Sequence, residues 1–119
     1  MRYLLMCYFD EQWWEQMPAA QKGKLMEEYS AFAQGIVQPG HFRASAKRQP
    51  TSTSTTVREQ NGKRISTDGP FAETKEQLGG SFLVECQDRD EAMALAGHIP
   101  TLRAGGAIAV RPVAWTSQP

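Results

Sequence analysis

The chain has no net charge to work with: thirteen Lys and Arg side chains are matched by thirteen Asp and Glu among 119 residues. A balanced surface supplies no field that would steer the molecule toward phosphate backbones or anionic lipid. Neither direct nucleic-acid binding nor membrane binding is therefore expected. Cysteine is scarce, with Cys7 and Cys86 alone, and neither stands in the C-x-x-C spacing of a redox or zinc site. Both fall within expected strands and read as buried, reduced thiols that behave as small hydrophobes. Histidine is equally scarce, and His41 and His98 lie far along the chain from the cysteines and from each other, so no metal site is expected. No stretch approaches the roughly 18 apolar residues that cross a bilayer. The apolar run at Met1 to Phe9 stops at Asp10 without a small-residue cleavage site, which suits a first strand better than a signal peptide. A soluble, cytoplasmic protein is expected. No P-loop, G-x-G-x-x-G fingerprint or Ser-His-Asp order appears, and no cofactor is expected.

What is present is an ordinary globular composition, 40% hydrophobic and 22% charged, in a length that suits one domain spanning 1–119 around one core. Arg2 to Phe9 is apolar on both alternating faces, as in a central strand covered on two sides. Trp13 and Trp14 are adjacent, and neighbours on a helix or strand cannot share one face, so at least one of them is expected against a partner surface. Pro18 opens a long helix whose stripe runs Leu25, Met26, Tyr29, Phe32, Ala33, Ile36 and Val37 before Pro39-Gly40 ends it. A short strand is expected over His41 to Ala46. Thr51 to Thr56 resembles low complexity, but its threonines lead into Val57 and then Asn61-Gly62, the preferred type I′ turn, giving a β-hairpin over 54–67. Ser81 to Gln87 alternates as a strand. Asp88 then caps a helix with Glu91 three residues on, and Ala92, Leu95, Ala96 and Ile99 share one face. Ala107 to Trp115 forms the last strand, where Pro112 demands an edge, a bulge or an end to pairing.

The order, a duplicated β-α-β theme with an inserted hairpin, describes an α+β fold of ferredoxin-like outline: an antiparallel sheet with two helices on one face. The bare face of such a sheet is most simply covered by a second copy, which makes a homodimer the expected assembly.

The most specific stretch is Thr67-Asp68-Gly69-Pro70-Phe71-Ala72-Glu73-Thr74-Lys75-Glu76-Gln77-Leu78-Gly79-Gly80. It resembles the signature of the YCII-related family in its DGPF branch. Tyr3-Leu4-Leu5, Glu28-Tyr29, Thr55-Thr56-Val57-Arg58 and Val110-Arg111-Pro112-Val113 extend the resemblance over nearly the whole chain. The resemblance implies a dimeric α/β barrel of ferredoxin-like halves with one cleft per subunit. It also implies either small-molecule chemistry in that cleft or a regulatory role beside an extracytoplasmic-function sigma factor. YciI-like members of the family carry a His and Asp pair, and alignment puts Tyr29 at the histidine position. A phenol with a pKa near 10 cannot serve as a base at neutral pH without a large shift, so the His and Asp mechanism does not carry over.

Asp68, His41 and Tyr29 are the candidate acid/base groups, and Phe71, Glu73, Lys75 and Arg111 the candidate ligand contacts. Each has a plainer role beside the functional one. Asp68-Gly69-Pro70 has turn chemistry, Lys75 lies between Glu73 and Glu76 as a local ion pair, and His41 opens a strand. Arg111, a guanidinium in an apolar strand, needs a carboxylate, and Asp68 is the expected partner with Glu73 as fallback. The candidate partners are a second copy of the chain, a small-molecule ligand and a sigma factor. The leading expectation is a small-molecule-binding protein or cofactor-independent enzyme; the alternative is a non-catalytic interaction protein.

Overall fold

A computed structural model of the chain describes residues 1–115. Strand β1, Arg2–Phe9, alternates as its sequence demands, burying Tyr3, Leu5 and Cys7 on one face and leaving Leu4, Met6 and Tyr8 half-covered on the other. It pairs antiparallel with β5, Gln77–Glu85, and with β6, Ala107–Pro112, while β2, Phe42–Lys47, pairs antiparallel with the far side of β5. The resulting order β2-β5-β1-β6 places both first-half and second-half strands in one ferredoxin-like sheet. The long helix α2, Ala19–Gly35, and α3, Arg89–Ala96, cover the face that carries Tyr3, Leu5, Cys7, Phe82 and Val84. Phe32 of α2 meets Phe82 of β5 edge to face at 5.1 Å. Asp88 caps α3 by accepting from the Glu91 N–H at 2.9 Å, while Glu91 reaches back to the Gln87 N–H at 3.0 Å.

Several element ends differ from the expected ones, each for a local reason. A short helix α1, Glu11–Gln16, capped by Asp10, carries both tryptophans. Helix α2 stops at Gly35, so Ile36 is buried but Val37 turns outward into the bend closed by Gly40. Ile99 lies beyond α3 and reaches the core through the turn that follows it rather than on the helical stripe. β6 is an edge strand whose regular pairing ends at Pro112, where the missing N–H breaks the ladder, although the Val113 N–H still reaches the Arg2 carbonyl at 2.9 Å.

The hairpin forms as the Asn61-Gly62 pair demands. β3, Thr55–Gln60, and β4, Lys63–Asp68, join through positive φ angles of 53° at Asn61 and 78° at Gly62. It is a separate two-stranded sheet, exposed along nearly its whole length. Its base is tied down by Glu11, whose carboxylate accepts from the Thr51 N–H at 3.0 Å and the Thr51 hydroxyl at 3.1 Å. No helix of the described residues is long and apolar enough to cross a membrane.

Candidate functional site

The helices do not seal the whole inner face of the sheet. Where the C-terminal end of β1 meets the N-terminal end of β5, a cleft of about 310 Å³ opens between α1, α2 and the strands. The size lies at the lower end of the range for small-molecule sites. Its walls are apolar, with Leu25, Met26 and Ala33 from α2 and Phe82 from the sheet. Both tryptophans of α1 line it: Trp14 leans on Phe9 with ring centroids 6.0 Å apart, while Trp13 stays exposed at the mouth. Adjacent residues on a helix point about 100° apart, so a concave wall takes both where a flat one would take one. Trp13 keeps the exposure that the expected partner contact would use. Lys47, the last residue of β2, holds its ammonium 4.9 Å from the Trp14 ring centre, within cation–π range.

The floor is polar at one place. The Tyr29 hydroxyl and the Thr101 hydroxyl share a hydrogen bond, beside the Cys7 thiol. Thr101 is fully buried, and glycine explains how it reaches the sheet: a Cβ at Gly106 would lie 2.4 Å from the Tyr8 carbonyl and 2.6 Å from the Thr101 methyl. Only a residue without a side chain lets the loop after α3 come so close to β1. An ion pair between Arg103 of that loop and Glu28 latches it to α2 next to Tyr29. On the opposite wall a Cβ at Gly79 would fall 2.0 Å from the Phe9 ring, so glycine there is what lets Phe9 lie flat against β5.

Burial pushes the Tyr29 phenol above its ordinary value of 10.0, offset in part by the Thr101 hydrogen bond and reinforced by the neighbouring Cys7. Burial likewise raises the Cys7 thiol, again partly offset by Thr101. Both groups are therefore protonated at neutral pH, and the floor presents neutral O–H and S–H groups in an apolar surround. Such a floor can donate a hydrogen bond to a ligand oxygen. It holds no base.

Of the candidates from sequence, only Tyr29 lines this cleft. His41 precedes β2, where its carbonyl accepts from the Glu85 N–H, whereas Cys7 on the cleft floor pairs with Gly80. Five residues of β5 separate those two levels, roughly 17 Å at the rise of an extended strand. Asp68 ends β4 on the exposed hairpin, and Phe71 beyond it is 77% exposed. Glu73 and Lys75 line a second, polar hollow with Asp10, Glu11 and Gln77. Arg111 stands opposite Leu4 on the other face of the sheet and is exposed. Among the described residues no ion pair joins it to Asp68 or Glu73, because strand register turns the guanidinium onto the open sheet face beside Leu4, exposed in the single subunit. The expected Asp68 to Arg111 bridge is corrected accordingly. Sequence reasoning left out Thr101 and Lys47, read Cys7 only as a buried thiol and the tryptophans only as a contact surface; the Gly79-Gly80 and Gly105-Gly106 pairs were the available signal, since each marks a close approach.

Comparison with known proteins decides the family. The sequence model of the YCII-related domain matches residues 1–116. The chain belongs to the YCII-related family. It is also 36% identical over 115 residues to an uncharacterized protein of Rhizobium meliloti (strain 1021), covering 96% of this chain and 93% of that relative. Within this YCII-related chain, Tyr29 is the residue whose hydroxyl reaches the cleft floor.

Proposed function

We propose that this YCII-related protein binds a small, flat, largely apolar molecule carrying one anionic or hydrogen-bond-accepting group. The observation that carries the reading is the cleft itself: apolar and aromatic walls, neutral hydroxyls at the floor and a lysine at the mouth. The apolar body of the ligand is driven in by burial against Leu25, Met26, Phe9 and Trp14, where aromatic stacking adds about 0.5–1.5 kcal/mol beyond area. Its anionic end meets Lys47, and an inner oxygen accepts from Tyr29. Any cofactor-independent acid/base step on the bound molecule has Tyr29 as its proton donor, since His41 and Asp68 lie elsewhere in the subunit. Two copies pack through their open sheet faces, with one cleft in each.

A thermal-shift screen of aromatic carboxylates, followed by tryptophan-fluorescence titration of the hits, tests this. A ligand at 100 times its Kd stabilises by about 2.7 kcal/mol, a shift easily read by melting. Trp14→Ala and Tyr29→Phe should each weaken the hit. If no compound of this class shifts the wild type, or Trp14→Ala binds as tightly as wild type, the cleft is not the binding site.

The second reading, a non-catalytic interaction protein working with an extracytoplasmic-function sigma factor, draws on another surface. It is favoured by the projecting hairpin, where Val57 and Ile65 are exposed, and by the exposed Phe71 just beyond it. Deleting the hairpin tip would abolish such an association and leave cleft binding intact.

A further inference from the structure

At the end of the strands away from the cleft, three chemically different side chains from distant parts of the chain converge. His41 stands before β2, Cys86 directly follows β5, and Glu91 lies in the first turn of α3. One imidazole nitrogen, the Cys86 sulfur and a Glu91 carboxylate oxygen all lie within 4.8 Å of one another. We infer that His41, Cys86 and Glu91 form a binding site for a divalent transition-metal ion, Zn²⁺ above all, with a fourth position left to water.

Ligand chemistry is the first support. Thiolate, imidazole and carboxylate are the ligand types that zinc accepts, at about 2.3 Å for sulfur and about 2.0–2.2 Å for nitrogen and oxygen. Tetrahedral edges at those bond lengths are about 3.3–3.7 Å, and the three ligand groups already lie within 4.8 Å of one another. Closing that triangle takes about 1 Å of movement, which the carboxylate can supply, since the Glu91 side chain is 34% exposed.

The surround is arranged to hold these groups in place. Nδ1 of His41 lies 2.8 Å from the Glu85 carbonyl, which can only accept, so Nδ1 carries the proton and Nε2 is the basic nitrogen. A metal taken by Nε2 keeps that bond, the arrangement in which a ligating histidine donates its second N–H to a carbonyl. The backbone under the ring is fixed by the Glu85 N–H donating to the His41 carbonyl at 2.8 Å, and that under the thiol by the Cys86 N–H donating to the Met1 carbonyl at 2.8 Å. Glu91 is oriented by the Gln87 N–H at 3.0 Å. Cys86 is buried while His41 and Glu91 are partly open, so an ion can enter from the histidine and glutamate side and reach the sulfur last.

Burial first, and then the carboxylates of Glu91, Glu85 and Asp88, raise the Cys86 thiol, against the N-terminal ammonium, which bonds to Glu85 at 2.7 Å. On binding, the Cys86 S–H bond breaks, its proton leaves to solvent and the sulfur pair bonds to the metal.

The test uses untagged, metal-stripped protein titrated with Zn²⁺ and, separately, with Co²⁺, whose thiolate complexes show a sulfur-to-cobalt charge-transfer band. One equivalent of metal, the band in wild type and in Cys7→Ser, and its loss in Cys86→Ser are the expected results. His41→Ala and Glu91→Gln should each raise the Zn²⁺ dissociation constant at least about 10-fold. In wild type, needing no variant, Zn²⁺ should protect Cys86 from alkylation in mild denaturant while leaving Cys7 labelled. A missing band, a band that survives Cys86→Ser, or Zn²⁺ that leaves Cys86 alkylation unchanged overturns the site.

Discussion

Tyr29 and Thr101 illustrate how a single hydroxyl pair can serve both packing and chemistry. Thr101 is fully buried and shares its hydrogen bond with Tyr29, so removing the phenolic oxygen strands a buried polar group. Tyr29→Phe should therefore cost about 1 kcal/mol in urea unfolding, toward about 2 if no water replaces the lost partner. An unchanged midpoint would mean that the Tyr29 and Thr101 hydroxyls are not paired in solution. Alkali gives a second prediction at this scale. Burial raises both Cys7 and Tyr29, so the folded state holds their protons more tightly than the unfolded chain does. Their contribution is complete below the unfolded values and is lost as pH rises through the folded ones. Melting temperature should fall above about pH 9, the ordinary thiol value being 9.0. Cys7→Val, measured over the same range, should fall less steeply. Equal slopes would remove Cys7 from the account.

Elements here are shaped as much by glycine as by apolar pattern, and glycine positions give opposite expectations. Gly106 admits the Thr101 loop against β1, and a Cβ there meets the Tyr8 carbonyl at 2.4 Å. Backbone cannot yield as a flexible side chain can, so Gly106→Ala should destabilise by about 1–3 kcal/mol and loosen the cleft floor. Gly23 lies inside α2 with nothing within 4 Å of an added Cβ. Gly23→Ala should stabilise by about 0.5–1 kcal/mol through helix propensity alone. Thermal melts of the two variants check both signs at once. The same elements show which ends were legible. The Asn61-Gly62 hairpin and the Asp88 cap lie where local chemistry put them, because turn and cap geometry depend on neighbours in sequence. The outward turn of Val37 was not legible, because the periodic pattern continues past the residue at which α2 stops.

For the whole molecule the decisive feature is an uneven shape. The radius of gyration is 16.2 Å, against about 13.5 Å for a compact chain of this length, and the hairpin is a separate, exposed sheet. The outer sheet face presents Leu4, Met6, Tyr8 and Leu83, half-covered in the single subunit. Apolar strands open on one face favour a symmetric partner, and a dimer is the expected state. Light scattering should give twice the 13.3 kDa chain mass at micromolar concentration. Leu83→Arg, placing charge at the centre of that face, should return it to one. A wild-type monomer at that concentration would defeat the expectation.

By itself the sequence determined the order of the strands and of the two longer helices, though not the short α1, together with the hairpin and its turn, the cap of α3 and the family, because each rests on periodicity or on residues close along the chain. Tertiary structure alone decided which side chains meet. It put Tyr29, Thr101 and Cys7 on one floor and gathered His41, Cys86 and Glu91 at the opposite end of the strands. It also turned Arg111 onto the outer sheet face beside Leu4 rather than into a bridge with Asp68. Such meetings depend on strand register and on the close approaches that Gly79 and Gly106 permit, and these are set by contacts between segments dozens of residues apart rather than by any local pattern.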